Sequence, residues 1–405
     1  MIRRLEIENF YSIRETQVID LTINTGVPDE AGRFGHLRGG SDVRVPKTVA
    51  FFGANASGKS NVLKALAFLR WFLVESFDSP PDAPLPIQRF ADSNTASTRI
   101  KAYFEWSADL ENEPPDHKGA FARYSYEVVV GSSTGRPNAV LSEELRLLPG
   151  TGKSRRVFVR DENGLVEGSA GYSLSGLGQI LVRLRPNVSV TSMIAQFTAK
   201  APMAGLLAWA KSIASNITPG NYQNADERSA TRAYAEDSLM RSHLQGVIGK
   251  LDFGIQGVGL NETPEGIQPE FFHYGLSSPL HLDGESEGTR QFYCILPTIW
   301  RALQADRGGI AVVDEIDSTI HPSVIPAILQ WFYAPTNMAN AQLWFSGHSA
   351  PLLEELRKEE IFFTEKDGHG RTSIYGLKDI EGVRRVDNFY QKYLGGVYGA
   401  VPRIG

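Results

Sequence analysis

Residues 48–69 read TVAFFGANASGKSNVLKALAFL, and the fold turns on this stretch. Thr48 to Phe52 form a short apolar run ending at Gly53, the pattern of a strand buried on both faces. Gly53-Ala54-Asn55-Ala56-Ser57-Gly58-Lys59-Ser60 then fits G-x-x-x-x-G-K-[ST] with nothing missing. Beyond it Val62, Leu66, Leu69 and Leu73 recur at helical spacing. Strand, glycine loop and helix is the order that a phosphate cradle needs. Glycines let backbone N–H groups wrap an anion, and the helix that follows points its positive end at it. The expected ligand is ATP with Mg²⁺. Gly53, Asn55, Ala56, Ser57, Gly58, Lys59, Ser60 and Asn61 would hold the nucleotide. Lys59 would reach the β- and γ-phosphates, and the Ser60 hydroxyl would ligate the metal.

A second apolar run, Ile310 to Val313, leads into Asp314-Glu315. Asp314 would hold Mg²⁺, and Glu315 would orient or deprotonate the attacking water. Ser286-Glu287-Gly288-Thr289 opens an expected helix over 289–304, with Pro297 inside it. A small hydroxyl and a glycine at a helix N-terminus suit an anion. Asp317-Ser318-Thr319 and His321-Pro322 follow the acid pair. Phe345-Ser346-Gly347-His348-Ser349 closes another expected strand, 341–347.

Working outward, residues 2–8 alternate as a half-buried strand, continued by 18–23. Residues 24–47 read as a loop and 78–86 as a proline-rich break. Segments 99–106, 123–130, 140–148 and 155–160 read as successive antiparallel strands. Residues 174–217 and 226–250 read as mainly helical, with Pro186 and Pro202 interrupting the first. A helix over 323–333 and strands over 310–315 and 361–366 complete the pattern. There is no internal repeat and no heptad run, so no long coiled coil separates the halves.

Composition narrows the class. The single cysteine, Cys294, rules out an internal disulfide and a Cys-based zinc site, and fits a reducing compartment. MIRRLEIENF lacks the apolar core of a signal peptide, and no run reaches the roughly 18–20 apolar residues of a membrane span. The expectation is a cytoplasmic protein without a membrane partner. A net charge of −5 leaves nucleic-acid contact to local basic patches. The candidates are Lys153, Arg155, Arg156 and Arg160, with the smaller clusters Arg183/Arg185 and Arg384/Arg385. A solvated face is the blander reading of each.

Taken in this order, the motifs resemble ABC-type ATPases of the RecF, SMC and OLD group, and especially short prokaryotic members that serve phage-defence systems of the RloA-like, PARIS and Septu types. The resemblance covers roughly 1–110 and 250–405. It implies an α/β P-loop ATPase head with antiparallel β elements and an inserted, largely helical region. The corresponding division is 1–110, 111–250 and 251–405. It implies that Ser286, Gly288 and Thr289 form the signature presented to the γ-phosphate of a second copy, so that ATP closes a homodimer, alone or within a higher homo-oligomer. His348 stands at the switch-histidine position, and Asp317 in the D-loop. LEIENFYSI (5–13) looks like the first strand of these relatives, whose following turn helps to hold the base, which makes Ser12 and Arg14 candidates here. Gln88 is the candidate for the metal-contacting glutamine.

Only 57 residues follow His348, too few for the nuclease domain that OLD-type relatives append. The resemblance therefore implies an effector in trans, often a nuclease. The expected function is an ATP-hydrolysing switch in antiviral defence. The alternative is a RecF- or SMC-like ATPase that binds DNA in repair.

Overall fold

The computed structural model describes residues 1–36, 43–90, 97–107, 121–133, 136–148, 153–168, 174, 176–197, 204–219, 226–251, 254–264, 266–337 and 339–401. The chain opens with strands β1 (Ile2–Glu8), β2 (Gln17–Asp20), β3 (Phe34–His36), β4 (Arg44–Pro46) and β5 (Thr48–Phe52), then helix α1 (Lys59–Glu75). Strands β6 (Thr98–Ser107), β7 (Phe121–Ser133), β8 (Arg136–Leu148), β9 (Arg155–Arg160) and β10 (Val166–Gly168) follow. A mostly helical stretch carries α2 (Gly178–Leu181), α3 (Val190–Ala195), α4 (Ala204–Lys211), β11 (Ile213–Ser215), α5 (Glu227–Glu236) and α6 (Ser238–Leu251). Then come β12 (Ile255–Thr263), β13 (Gly266–His273), β14 (Leu280–His281), α7 (Glu287–Gln304), β15 (Ile310–Val313), α8 (Ile325–Tyr333) and β16 (Gln342–Ser346). The described chain closes with β17 (Ile361–Lys366), β18 (Thr372–Gly376) and α9 (Phe389–Leu394).

Two large sheets sandwich α1. One is antiparallel, in the order β10-β9-β8-β7-β6-β1-β2. The other, β11-β15-β16-β5-β17-β18, is parallel except for β18. Every residue of β5, β15 and β16 is buried, which is why these strands read as apolar runs without alternation. Their side chains nevertheless sort by parity. Val49, Phe51, Val312 and Trp344 join the core around α1 and the antiparallel sheet. Ala50, Phe52, Val313 and Phe345 join a second core with α7 and α8. Covered from both sides, α1 is apolar nearly all round, and Phe68 stacks on Phe72 with ring centroids 5.5 Å apart. Truncating Phe72 to alanine would cost about 3–5 kcal/mol.

Helix α7 tolerates Pro297 because a neighbour repairs the damage. Proline has no N–H to give the carbonyl four residues earlier. The Tyr234 hydroxyl donates to that carbonyl, Tyr293 O, at 2.9 Å and so ties α5 to α7.

Several sequence expectations need correction. Segment 24–47 is not all loop, because β3 and β4 pair within it. Segment 174–217 holds only short helices, and its end, β11, pairs in parallel with β15. Pro186 does fall between α2 and α3; Pro202 lies outside the described residues. Strand β15 stops at Val313, before the acid pair, and the first turn of 323–333 is a 3-10 turn. No helix among the described residues is long and apolar enough to cross a membrane.

Candidate functional site

The glycine loop leaves the C-terminal end of β5, a central strand of the parallel sheet, where ligands of such sheets gather. Gly58 caps α1 and has no side chain to occupy the first amides, which leaves that helix end suited to an anion. Its φ is 111°, and a Cβ there would come 2.4 Å from Thr372 Oγ1, so only glycine fits. Thr372 Oγ1 donates to Ser57 O at 2.7 Å, and Ser57 Oγ lies 2.5 Å from Thr364 Oγ1. The loop is thus braced from behind by β17 and β18.

Lys59 is buried, and its Nζ donates to Gly53 O at 3.0 Å and Ala54 O at 3.1 Å. Burial holds the ammonium below its ordinary range, against the opposing pull of Asp314, Glu315 and Asp317. Ser60 Oγ donates to Asp314 Oδ1 at 3.0 Å, and Ser346 Oγ donates to the same oxygen at 2.5 Å. Glu315 follows with φ at 51°, a left-handed turn that is costly for a non-glycine residue. Its N–H donates to Ser346 Oγ at 2.8 Å, and its Oε1 lies 3.6 Å from His348 Nε2. Both Asp317 oxygens accept from His348 N, at 3.0 and 2.9 Å, and Ser349 N reaches Oδ2 at 2.5 Å. Asp317 therefore fixes the backbone that carries His348.

These groups border a cleft of about 870 Å³, roomy enough for a nucleotide. Asn55 through Asn61, Ser12, Gln88, Glu315 and His348 all line it. Ser12 Oγ accepts from Asn61 Nδ2 at 2.7 Å and lies 2.7 Å from Thr372 Oγ1. Gln88 is brought in by its carbonyl, which accepts Tyr11 N–H at 2.8 Å. Arg14 is not among the lining residues, and its guanidinium pairs with Glu15 at 2.5 Å.

Ser286, Gly288 and Thr289 lie elsewhere. They line a separate hollow of about 300 Å³ with Phe292, Thr319 and His321. Ser286 caps α7 by accepting Thr289 N–H at 3.1 Å. Gly288 lets the 317–319 segment approach, since a Cβ would meet Thr319 O at 2.9 Å.

Sequence reasoning missed Lys64, Lys366, Arg89, Phe90 and Tyr11, all in the cleft wall. Lys64 Nζ sits 4.5 Å from the centroid of the Tyr11 ring. Lys366 was within reach: it ends the strand beside β5, so parallel pairing alone carries it to the loop. The basic stretch needs a correction. Arg160 is buried, 3.7 Å from Glu143, with its guanidinium donating to Val188 O and Arg185 O. It cannot meet a phosphate backbone. Arg156 pairs with Glu144, Arg185 donates to Ser79 O and Phe77 O, and Arg385 pairs with Glu359.

Ser60 Oγ and Asp314 Oδ1 converge as hard oxygen donors at the foot of a cation-lined cleft, a set that fits Mg²⁺ beside phosphate. The fold and this cleft define a P-loop ATPase of the ABC type. The family described as "AAA domain, putative AbiEii toxin, Type IV TA system" matches residues 49–143 and 214–354, more than half of the chain, and the chain belongs to it. No curated protein matches the chain. Among solved structures, the SmcHead bound to the C-winged helix domain of ScpA is similar at 16% identity, with a TM-score of 0.47, covering 93% of this chain and 98% of that one. An Smc head domain with an extended coiled coil, bound to the C-terminal domain of ScpA and derived from Pyrococcus furiosus, is similar at 14% identity and a TM-score of 0.43, with 98% and 99% covered. The SMC head domain from Thermotoga maritima is similar at 15% and 0.38, with 93% and 98% covered.

Proposed function

We propose that the protein is an ATP-driven switch of antiviral defence whose site is completed by a second copy and which controls a separately encoded effector, of nuclease type. The family description, with its toxin and toxin–antitoxin system, supports the defence setting. One observation carries the composite site: the hollow holding Ser286 and Gly288 and the cleft holding Lys59 are separate in one chain. In a face-to-face pair each hollow would cover the partner's cleft, as a two-fold interface requires.

In this reading Lys59 and the loop amides bind the β- and γ-phosphates, and Asn61 and Ser12 steady the nucleotide's other end. Ser60 and Asp314 hold Mg²⁺, with Gln88 at its outer edge. Bound magnesium supplies charge neutralisation at the phosphates. Glu315 takes the proton of the attacking water. His348, within 3.6 Å of Glu315, reports the γ-phosphate to the loop that Asp317 holds. Ser286, Gly288 and Thr289 close the site from the partner.

The test mixes two inactive variants, Lys59→Ala and Ser286→Arg. Each mixed dimer keeps one intact site, so the mixture should recover about a quarter of the wild-type rate when pairing is random. A rate per chain that stays constant down to monomer concentrations would sink the composite site. The DNA-repair reading draws on the exposed Lys153 and Arg155. Tight, ATP-dependent DNA binding with a steep salt slope would favour it over the defence switch.

A further inference from the structure

Asn216 stands one residue past the edge strand β11, and its side chain acts as a piece of sheet. Its backbone N–H donates to Val312 O at 3.1 Å, continuing the pairing of β11 with β15. Its side-chain Oδ1 accepts Asp314 N–H at 2.8 Å, and its Nδ2 donates to Asp314 O at 3.1 Å. A primary amide carries the donor and acceptor of a peptide group. One side chain thus extends the ladder by the residue at which the acid pair begins. Asn216 is only 2% exposed, so water could not readily replace it.

The location gives this pairing its consequence. Immediately after Asp314 the chain makes its left-handed turn at Glu315. From the opposite side Ser346 Oγ grips the Glu315 N–H and the Asp314 carboxylate. Asn216 holds the Asp314 backbone from the β11 side. If either peptide plane beside Asp314 rotated, the carboxylate would leave Ser60 and the Glu315 side chain would swing away from the cleft. The segment bringing Asn216 is itself anchored, because Trp209 of α4 stacks on Phe104 of β6 with centroids 3.8 Å apart.

We propose that Asn216 is a positioning residue for the acid pair, locking the Asp314 peptide planes so that Asp314 faces Ser60 and Glu315 faces the cleft. The proposal rests on the roles given above to Asp314 and Glu315. It predicts a loss in turnover and not in nucleotide capture, because Asn216 lies among neither the residues lining the cleft nor those lining the signature hollow.

Two variants of the full chain test it. Asn216→Leu keeps the branching at Cγ, with some added bulk, and removes both hydrogen bonds. Asn216→Asp keeps an acceptor for Asp314 N–H and removes the donor to Asp314 O. The first readout is amide hydrogen exchange without nucleotide, followed in peptides spanning 310–318. Exchange there should quicken roughly tenfold in Asn216→Leu and by at least as much in Asn216→Asp, whose buried carboxylate would face the Asp314 carbonyl, while peptides from β17 are unchanged in both. The second readout is steady-state ATP turnover. Here kcat should fall roughly tenfold or more in Asn216→Leu, with KM for ATP within about twofold of wild type. Unchanged exchange over 310–318 in a folded Asn216→Leu protein, or a loss carried entirely by KM, overturns the proposal. The exchange readout needs no ATP. It therefore decides the role of Asn216 even if Glu315→Gln turns over ATP normally, a result that would overturn the acid assignment instead.

Discussion

Ser60 and Asp314 lie 254 positions apart in the chain and meet through a 3.0 Å hydrogen bond at the foot of the cleft. One comes from the first turn of the helix after the glycine loop, the other from the end of a strand two places across the sheet. Both offer oxygen to one point, and Asp314 brings the negative charge that a divalent cation needs. Asp314→Asn removes that charge and keeps the shape. Its affinity for ATP in EDTA should match wild type, while the gain on adding Mg²⁺ should disappear. Titration of a fluorescent ATP analogue with and without Mg²⁺ reads both. A wild-type magnesium effect in the variant would remove Asp314 from the metal site.

Lys59 donates to two carbonyls of its own loop, so its ammonium is already held at the loop's mouth. Charge-assisted bonds to phosphate are worth about 1.5–3 kcal/mol each. Lys59→Ala should therefore weaken ATP binding by roughly 100-fold or more while melting close to wild type. Undiminished affinity in a folded variant would mean that the cleft binds nucleotide by another route.

Gly58 is constrained twice, by its φ of 111° and by Thr372 at 2.4 Å from where a Cβ would sit. Backbone strain of this kind costs about 1–3 kcal/mol, and the clash adds to it. Gly58→Ala should lower stability to chemical denaturation by at least that much and abolish ATP binding. Thr372→Ala removes the obstructing atoms but also the bond to Ser57 O, so the clash is read as a coupling: Gly58→Ala should cost less in a Thr372→Ala background than in wild type. If it costs the same in both backgrounds, Thr372 is not the obstacle.

The sequence made the local pieces of this site readable and hid the contacts between them. The loop, the acid pair and the SGHS turn each carry their chemistry in consecutive residues, and apolar strands set them off. The brace behind the loop was not readable, because Thr364 and Thr372 approach Ser57 only through tertiary pairing. Strand β11 was hidden for a different reason. Three residues, IAS, flanked by helix-forming sequence have no period to show, so 213–215 read as helix. Asn216 was hidden with it, since an asparagine there looks like an ordinary turn former. Segments β3 and β4 failed the same way, with three residues each. Arg160 misled through composition: an arginine in a basic run reads as surface, yet this one closes a buried network with Glu143.

Two carboxylates follow Val313 within the turn that could serve as the base, Glu315 and Asp317, and geometry separates them. Both oxygens of Asp317 are engaged by the amides of His348 and Ser349, which leaves it a structural task. Glu315 lines the cleft, with its carboxylate 3.6 Å from His348 Nε2. Its left-handed backbone turns the side chain out of the line of the buried strand. Glutamine at 315 preserves this shape and cannot accept a proton. Removing a general base costs roughly 10²–10⁴-fold in rate. Glu315→Gln should bind ATP with wild-type affinity, hydrolyse it more slowly by that factor, and accumulate as a closed dimer on size-exclusion chromatography with ATP and Mg²⁺. In the proposed defence setting the same variant would show whether effector control needs nucleotide binding or turnover. If the variant's ATPase rate stays within about twofold of wild type, well inside the loss expected for a missing base, Glu315 is not that base. His348 is then the next group to test, since Asp317 is already committed to holding the turn.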